Sequence, residues 1–163
     1  MQSAKETDYS IEKALEARRT AQRNNQSFVL TNGCFDIVHA GHACSLSEAS
    51  TYGDILWVGL NSDTSIKKIK GENRPIIPQL DRAYLLASLK SVSGVFIFSK
   101  ENISNEIRLL HPDVYIKSDD YSLMTIDTNE KTALNDVGAE IRFVPMVKNL
   151  STSNIIDKIK SQS

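Results

Sequence analysis

Five short apolar runs punctuate this sequence: Phe28-Val29-Leu30-Thr31, Ile55-Leu56-Trp57-Val58-Gly59-Leu60, Val95-Phe96-Ile97-Phe98, Val114-Tyr115-Ile116 and Ile141-Arg142-Phe143-Val144. Apolar runs without polar alternation are what strands covered on both faces of a parallel sheet require. Between them lie stretches with helical spacing, clearest over 79–90, where Leu80, Ala83, Tyr84, Leu86, Ala87 and Leu89 form one stripe. Parallel neighbours need crossover connections, and these stretches supply them. The expected fold is α/β, a Rossmann-like doubly wound parallel sheet of about five strands with helices on both faces.

Other stretches fill in the order of elements. Ile11 and Leu15 among charges predict a flanking N-terminal helix over 10–24, capped by Ser10, with a polar and frayed segment 1–9 before it. Further helices are expected over 40–52, 103–110, 127–136 closed by Gly138, and 151–160. Asn61-Ser62-Asp63 reads as the turn ending the second strand, and 67–78 as a basic loop. No repeat or linker divides the chain, so 1–163 is expected to be one domain.

Composition removes several classes of function. A 163-residue chain that is 40% hydrophobic can build a core without disulfide or metal staples. Its 19 Lys+Arg against 20 Asp+Glu leave a net charge of -1, with no global attraction to nucleic acid or an anionic membrane. Any anionic ligand must be held locally. No apolar run approaches the ~20 residues that span a bilayer, and the first thirty residues lack a secretory apolar segment, so a cytoplasmic location is expected. Cys34 and Cys44 read as small packing residues, and the spacing of Cys34, Asp36, His39, His42 and Cys44 matches no usual structural zinc pattern.

In such sheets ligands sit beyond the carboxyl ends of the strands, and the loop after the first strand is the natural place to look. There the sequence runs Thr31-Asn32-Gly33-Cys34-Phe35-Asp36-Ile37-Val38-His39-Ala40-Gly41-His42. Two of the three histidines fall at i and i+3, which puts both imidazoles on one side of an opening helical turn. A helix N-terminus with two imidazole donors is a focused phosphate site, and Gly41 lets the backbone approach the ligand. Lys67, Lys68, Lys70 and Arg74 face only Glu72, a local cationic patch on a balanced chain. Ordinary polar helix-start residues and solvated lysines are the plainer readings of these features. The strand, turn and paired histidines together favour the phosphate site.

The stretches TNGCFDIVHAGHACSLSEA, GLNSD, IKKIKGENRPI, QLDRAYLLASL, HPDVYIK, DDY and LSTSNIIDKI carry a resemblance. In register from about Ser10 to Lys160, the chain resembles the H-x-G-H nucleotidyltransferases, and among them the adenylyltransferase domain acting on D-glycero-β-D-manno-heptose 1-phosphate. The resemblance implies transfer of a nucleotidyl group, AMP from ATP, to a sugar 1-phosphate with release of pyrophosphate, Mg2+ accompanying the triphosphate. It implies catalytic roles for His39, His42, Lys70 and Arg82. Thr31, Asn32, Gly33, Cys34, Phe35, Gly41, Lys117, Ser151, Thr152 and Ser153 would bind the nucleotide. Asp36, Asn61, Asp63, Arg74 and Asp119 would serve the acceptor, with Asp36 also steadying the loop and orienting a histidine. Asp36 and Asp63 are the candidate metal ligands, with no assignment between them. The family often pairs, so a homodimer is expected.

One departure bears on the acceptor. Where the heptose-phosphate enzymes read K-G-G-D-Y, this chain has Lys117-Ser118-Asp119-Asp120-Tyr121, with side chains and one more negative charge in place of bare backbone. A cytidylyltransferase acting on glycerol 3-phosphate or another polyol phosphate stays open, as does a nucleotide-binding regulatory module without turnover. Some family members carry a sugar kinase on the same chain; here a separate kinase is expected to supply the 1-phosphate.

Overall fold

The computed structural model describes residues 7–118, 122, 124–145 and 152–162, with the backbone alone at Ser153. The strands are β1 (Phe28–Gly33), β2 (Ile55–Asn61), β3 (Gly94–Phe98), β4 (Val114–Ser118) and β5 (Glu140–Val144). They form one sheet, all parallel, in the order β3-β2-β1-β4-β5. The apolar runs marked all five, and side-chain alternation into two cores explains why the bodies of β1 to β4 are apolar on both faces, whereas the edge strand β5 alternates, with Glu140 and Arg142 exposed. Val29, Val58 and Ile116 enter one core with Leu46, Ala49, Ala83 and Leu86. Phe28, Leu30, Trp57 and Tyr115 enter the other, with Ile107, Leu110, Ala133 and Leu134.

The helices are α1 (Ile11–Arg23), α2 (Ala40–Ala49), α3 (Asp63–Lys70), α4 (Gln79–Ala87), α5 (Ser104–Leu110), α6 (Thr128–Val137) and α7 (Thr152–Lys160). α2 and α4 cover the first face, and α1, α5 and α6 the second. Arg18 ties α1 to the sheet by donating to Asp113 at 2.7 Å and to the Leu110 carbonyl at 3.0 Å. Gly138 closes α6 in the left-handed conformation, φ 72°. Among the described residues no helix is long and apolar enough to cross a membrane.

Three local expectations need correction. The stretch read as a turn and basic loop contains α3, because Ser62 caps a helix whose apolar stripe is only Ile66 and Ile69 among lysines; its Oγ accepts the Ser65 N–H at 3.2 Å. Ser10 precedes α1 without capping it through its hydroxyl, and its own N–H donates instead to Asp8 at 2.9 Å. Cys44 is exposed rather than packed.

β1 is flanked by β2 on one side and β4 on the other, so strand order reverses between β1 and β4. The loops leaving the carboxyl ends of two such strands diverge to opposite faces and open a crevice.

Candidate active site

A cleft of ≈ 570 Å³ occupies that crevice. Its lining includes Thr31, Asn32, Gly33, Cys34, Phe35, Asp36, His39, Gly41, His42, Asn61, Lys70, Lys117 and Thr152, so the fold brings thirteen of the residues singled out above to one place. They come from the end of β1 and its loop, the start of α2, the end of β2, the last residue of α3, β4 and the first residue of α7. Ser151, Asp119 and the side chain of Ser153 lie outside the described residues.

The loop after β1 is built around an aromatic ring. Phe35 takes a left-handed backbone conformation, φ 44°, which for a residue with a Cβ costs roughly 1–2 kcal/mol. A Cβ on Gly33 would stand 2.9 Å from the Phe35 ring, so glycine is what lets the ring fold back over the strand end. From there Phe35 packs against His42, ring centroids 5.2 Å apart.

His39 is the N-cap residue of α2 and His42 stands in its first turn. Their rings stack at 3.9 Å, and the main-chain N–H of His39 donates to Nδ1 of His42 at 3.4 Å. An accepting Nδ1 requires the proton of neutral His42 on Nε2. Among the described residues, His39 Nδ1 is buried without a full hydrogen-bond partner. Burial, with the charge of His39 and Lys70 nearby, pushes the His42 pKa down to about 4, and burial lowers that of His39. At neutral pH the pair is uncharged, and a ring donor on His42 stands beside the N–H groups of a helix start. Burial also pushes the Cys34 thiol up, which keeps it protonated in the cleft lining.

Other expected residues brace the cleft. Arg82 is fully buried, donating through Nη1 to the carbonyls of Cys34 and Asn61, through Nε to that of Ile77 at 2.9 Å, and through Nη2 to Asp63 at 2.7 Å. Its fork is taken up by the protein and it does not line the cleft. Asp36 accepts from Arg74 and from the N–H groups of Ile76 and Ile77 at 2.7 and 3.1 Å, so its carboxylate pins the 71–78 loop, with no hydrogen bond to either histidine among the described residues. Arg74 and Asp63 likewise lie outside the lining. Asn61 is buried, its Nδ2 donating to Ser65 at 2.9 Å, and the Thr31 hydroxyl donates to the Ile116 carbonyl at 3.0 Å. Lys117 lines the cleft with its ammonium 2.9 Å from Glu130.

A match to a family model decides the lineage: the cytidylyltransferase-like model matches residues 30–160, from β1 through α7. The chain belongs to the cytidylyltransferase-like family. It is 46% identical over 150 residues to the bifunctional protein HldE of Helicobacter pylori strain J99, covering 92% of this chain and 30% of that protein. It is also 46% identical over 135 residues to the protein of the same name from Aliarcobacter butzleri, covering 83% of this chain and 27% of that one. The chain thus spans about a third or less of the curated relatives it matches.

Among solved structures, the lipopolysaccharide core biosynthesis protein of Thermoplasma volcanium is similar at a TM-score of 0.61 and 26% identity, over 77% of this chain and 99% of that one. Pantothenate synthetase of Thermus thermophilus has a TM-score of 0.61 at 13% identity, over 91% and 66%, and shares the fold. For a cytidylyltransferase-like cleft the metal question is chemical. Among the described residues no group of three or more His, Cys, Asp or Glu is placed to hold a metal ion. Asp36 and Asp63 are both engaged by arginines, so neither is a free ligand.

Sequence reasoning missed Tyr115, Glu130 and Asn102. Asn102 and Glu130 line the cleft, and the Tyr115 hydroxyl bonds two lining residues, Asn32 at 2.7 Å and Glu130 at 3.3 Å. Glu130 stands three residues after the Asp127 cap of α6 and reads as an ordinary first-turn acid; only its 3% exposure distinguishes it.

Proposed function

We propose that this chain transfers AMP from ATP to a heptose 1-phosphate, releasing pyrophosphate and forming a nucleotide sugar of the ADP-heptose type. The observation that carries the reading is the stacked, uncharged His39–His42 pair at the start of α2, opening onto the switch-point cleft with Lys70 beside it. Support for the acceptor comes from the resemblance to heptose 1-phosphate adenylyltransferase domains along 10–160 and from the similarity to a lipopolysaccharide core biosynthesis protein.

On this reading the triphosphate lies against the N-terminus of α2, whose N–H groups and dipole favour anions. A phosphate oxygen of the acceptor attacks the α-phosphorus, a new P–O bond forms, and the bond to the β-phosphate breaks in line. The chain supplies no nucleophile. The Nε2–H of His42, the His39 ring and the Lys70 ammonium stabilise charge growing on the α-phosphate and the leaving pyrophosphate. Thr152, first residue of α7, offers a second donor from across the cleft. Mg2+ would be held by triphosphate oxygens and water, where it offsets phosphate charge. Arg82, Asp36, Asp63 and Arg74 act as bracing groups that hold the loop after β1 against the end of β2.

Pyrophosphate release tests this directly, with ATP and CTP each paired with heptose 1-phosphates, other sugar 1-phosphates and glycerol 3-phosphate. Turnover with ATP and a heptose 1-phosphate, lost in His39→Ala, is the expected result. Turnover with CTP or a different acceptor alone would overturn the substrate, and nucleotide binding without turnover on any pair would favour a regulatory module.

A further inference from the structure

The two sides of the cleft differ in chemistry. Odd-numbered residues of β1 face α2, while Phe28 and Leu30 face α5 and α6. By strand alternation Asn32 ends the second row, and Lys117 shares that face of β4 with Tyr115. The histidines belong to the α2 side, and Asn32 to the other.

There, Asn32 Oδ1 accepts the Tyr115 hydroxyl at 2.7 Å and the Lys117 ammonium at 3.1 Å. Glu130 closes the network, its Oε2 2.9 Å from Lys117 Nζ and its Oε1 accepting the Ile103 N–H at 3.4 Å. A carbonyl oxygen held by two donors decides which way round a side-chain amide sits. Asn32 lines the cleft, and no described residue accepts from its Nδ2. The network therefore leaves a preset amide donor at the cleft wall.

The neighbouring lining residues indicate what that donor meets. Asn102, Asp127 and Glu101 share this part of the chain's α5–α6 side, and the aromatic residue among the described lining, Phe35, packs against His42 instead. A wall of amides and carboxylates without an aromatic face suits hydroxyl groups, not a nucleobase that gains from stacking.

We propose that Asn32 Nδ2 donates to a hydroxyl oxygen of the acceptor's polyol, and that Tyr115, Lys117 and Glu130 are positioning residues locking the amide in its donating orientation. The inference rests on the sugar-phosphate reading above and goes beyond the nucleotide-binding role that the resemblance implies for Asn32.

The test is a steady-state comparison of wild type, Asn32→Asp and Tyr115→Phe with ATP and heptose 1-phosphate, and with a series of monodeoxy analogues of that sugar phosphate. Asn32→Asp replaces the donor with an acceptor of the same shape, and one lost hydrogen bond corresponds to a KM for the sugar phosphate roughly tenfold higher. KM for ATP stays within about twofold on the same scale. Wild type is penalised for one deoxy position, and both variants lose that penalty, which a general loosening of the fold would not produce. Tyr115→Phe, which keeps the ring, carries the test should Asn32→Asp fail to fold. A rise in KM for ATP alone, or a deoxy penalty that survives in the variants, overturns the proposal while leaving the transferase reading intact. Absence of wild-type turnover with every sugar phosphate overturns both.

Discussion

The imidazoles of His39 and His42 stack with centroids 3.9 Å apart, and the helix start itself sets their orientation, because the His39 N–H donates to Nδ1 of His42. Two rings so close and half-buried are not readily both charged, and the His42 pKa falls to about 4. A bound polyanion favours the imidazolium and raises that value. Nucleotide binding is then accompanied by proton uptake at pH values between the free and bound pKa, and affinity rises as pH falls through that window, flattening below about 4. Calorimetric titrations in buffers of different ionisation enthalpy, at mildly acidic pH, measure the uptake directly. His42→Asn, which keeps an acceptor for the His39 N–H, abolishes it and lowers kcat by roughly 10²–10³, the cost of one transition-state donor.

Arg82 gives a different expectation. Its guanidinium bonds the Cys34, Asn61 and Ile77 carbonyls and Asp63 while fully buried, so its loss is felt first as instability. Its removal strips donors from three carbonyls and leaves Asp63, whose side chain is 35% exposed, without its partner; a buried group left unsatisfied costs about 1–3 kcal/mol, and Arg82→Ala is expected at the upper end of that range by urea unfolding. Arg82→Lys, lacking the planar fork, recovers only part of it. A stable Arg82→Ala protein with collapsed kcat would instead place Arg82 at the phosphates.

These two cases mark what the sequence could reveal. The inner strands were legible because burial on both faces removes polar residues from their bodies, the edge strand β5 because Ile141, Phe143 and Val144 still cluster around Arg142, and the histidines because i and i+3 on one turn is a local relationship. α3 was hidden because lysines surround Ile66 and Ile69, leaving a two-residue stripe that reads as basic loop. Arg82 looked like a phosphate ligand because its acceptors, at Cys34 and Asn61, are distant in sequence and become neighbours only when β1 and β2 pair. The Asn32–Tyr115–Glu130 network was illegible for the same reason. It exists because β4 returns to lie beside β1, and strand order is not written in any one segment.

Asp36 couples the loop to pH. It is 2% exposed, and burial pushes its carboxyl up, yet the Ile77 N–H, the Arg74 guanidinium and the Ile76 N–H outweigh this and hold it below the usual range. A carboxylate with a lowered folded-state pKa adds stability above its ordinary pKa and loses it as pH falls through the lowered value. Asp36→Asn is therefore less stable than wild type at neutral pH, by about 1.5–3 kcal/mol for a hydrogen bond to a charged group. Urea midpoints measured at neutral and strongly acid pH should show the gap narrowing on acidification. A gap independent of pH would mean that the lost packing of the 71–78 loop, and not the charge, carries the effect.

Gly59 sets the spacing behind the cleft floor. It pairs with Asn32 across β1 and β2, and a Cβ there would stand 2.4 Å from Ile103 Cδ1 and 3.1 Å from the Phe96 ring. Ile103 is fully buried, and overfilling such a core costs about 1–3 kcal/mol, the expected loss for Gly59→Ala. Ile103→Val removes the clashing Cδ1 at a cost of about 0.5–1.5 kcal/mol by itself. Because the second change makes room for the first, the double variant should be more stable than the sum of the single losses, a coupling that a double-mutant cycle in urea reads out. Simple additivity would mean that the strand, not Ile103, gives way, and the shift would then reach Asn32, whose Cβ lies 3.5 Å from the same point. Acceptor KM measured on Gly59→Ala separates the two, staying near wild type in the first case and rising in the second.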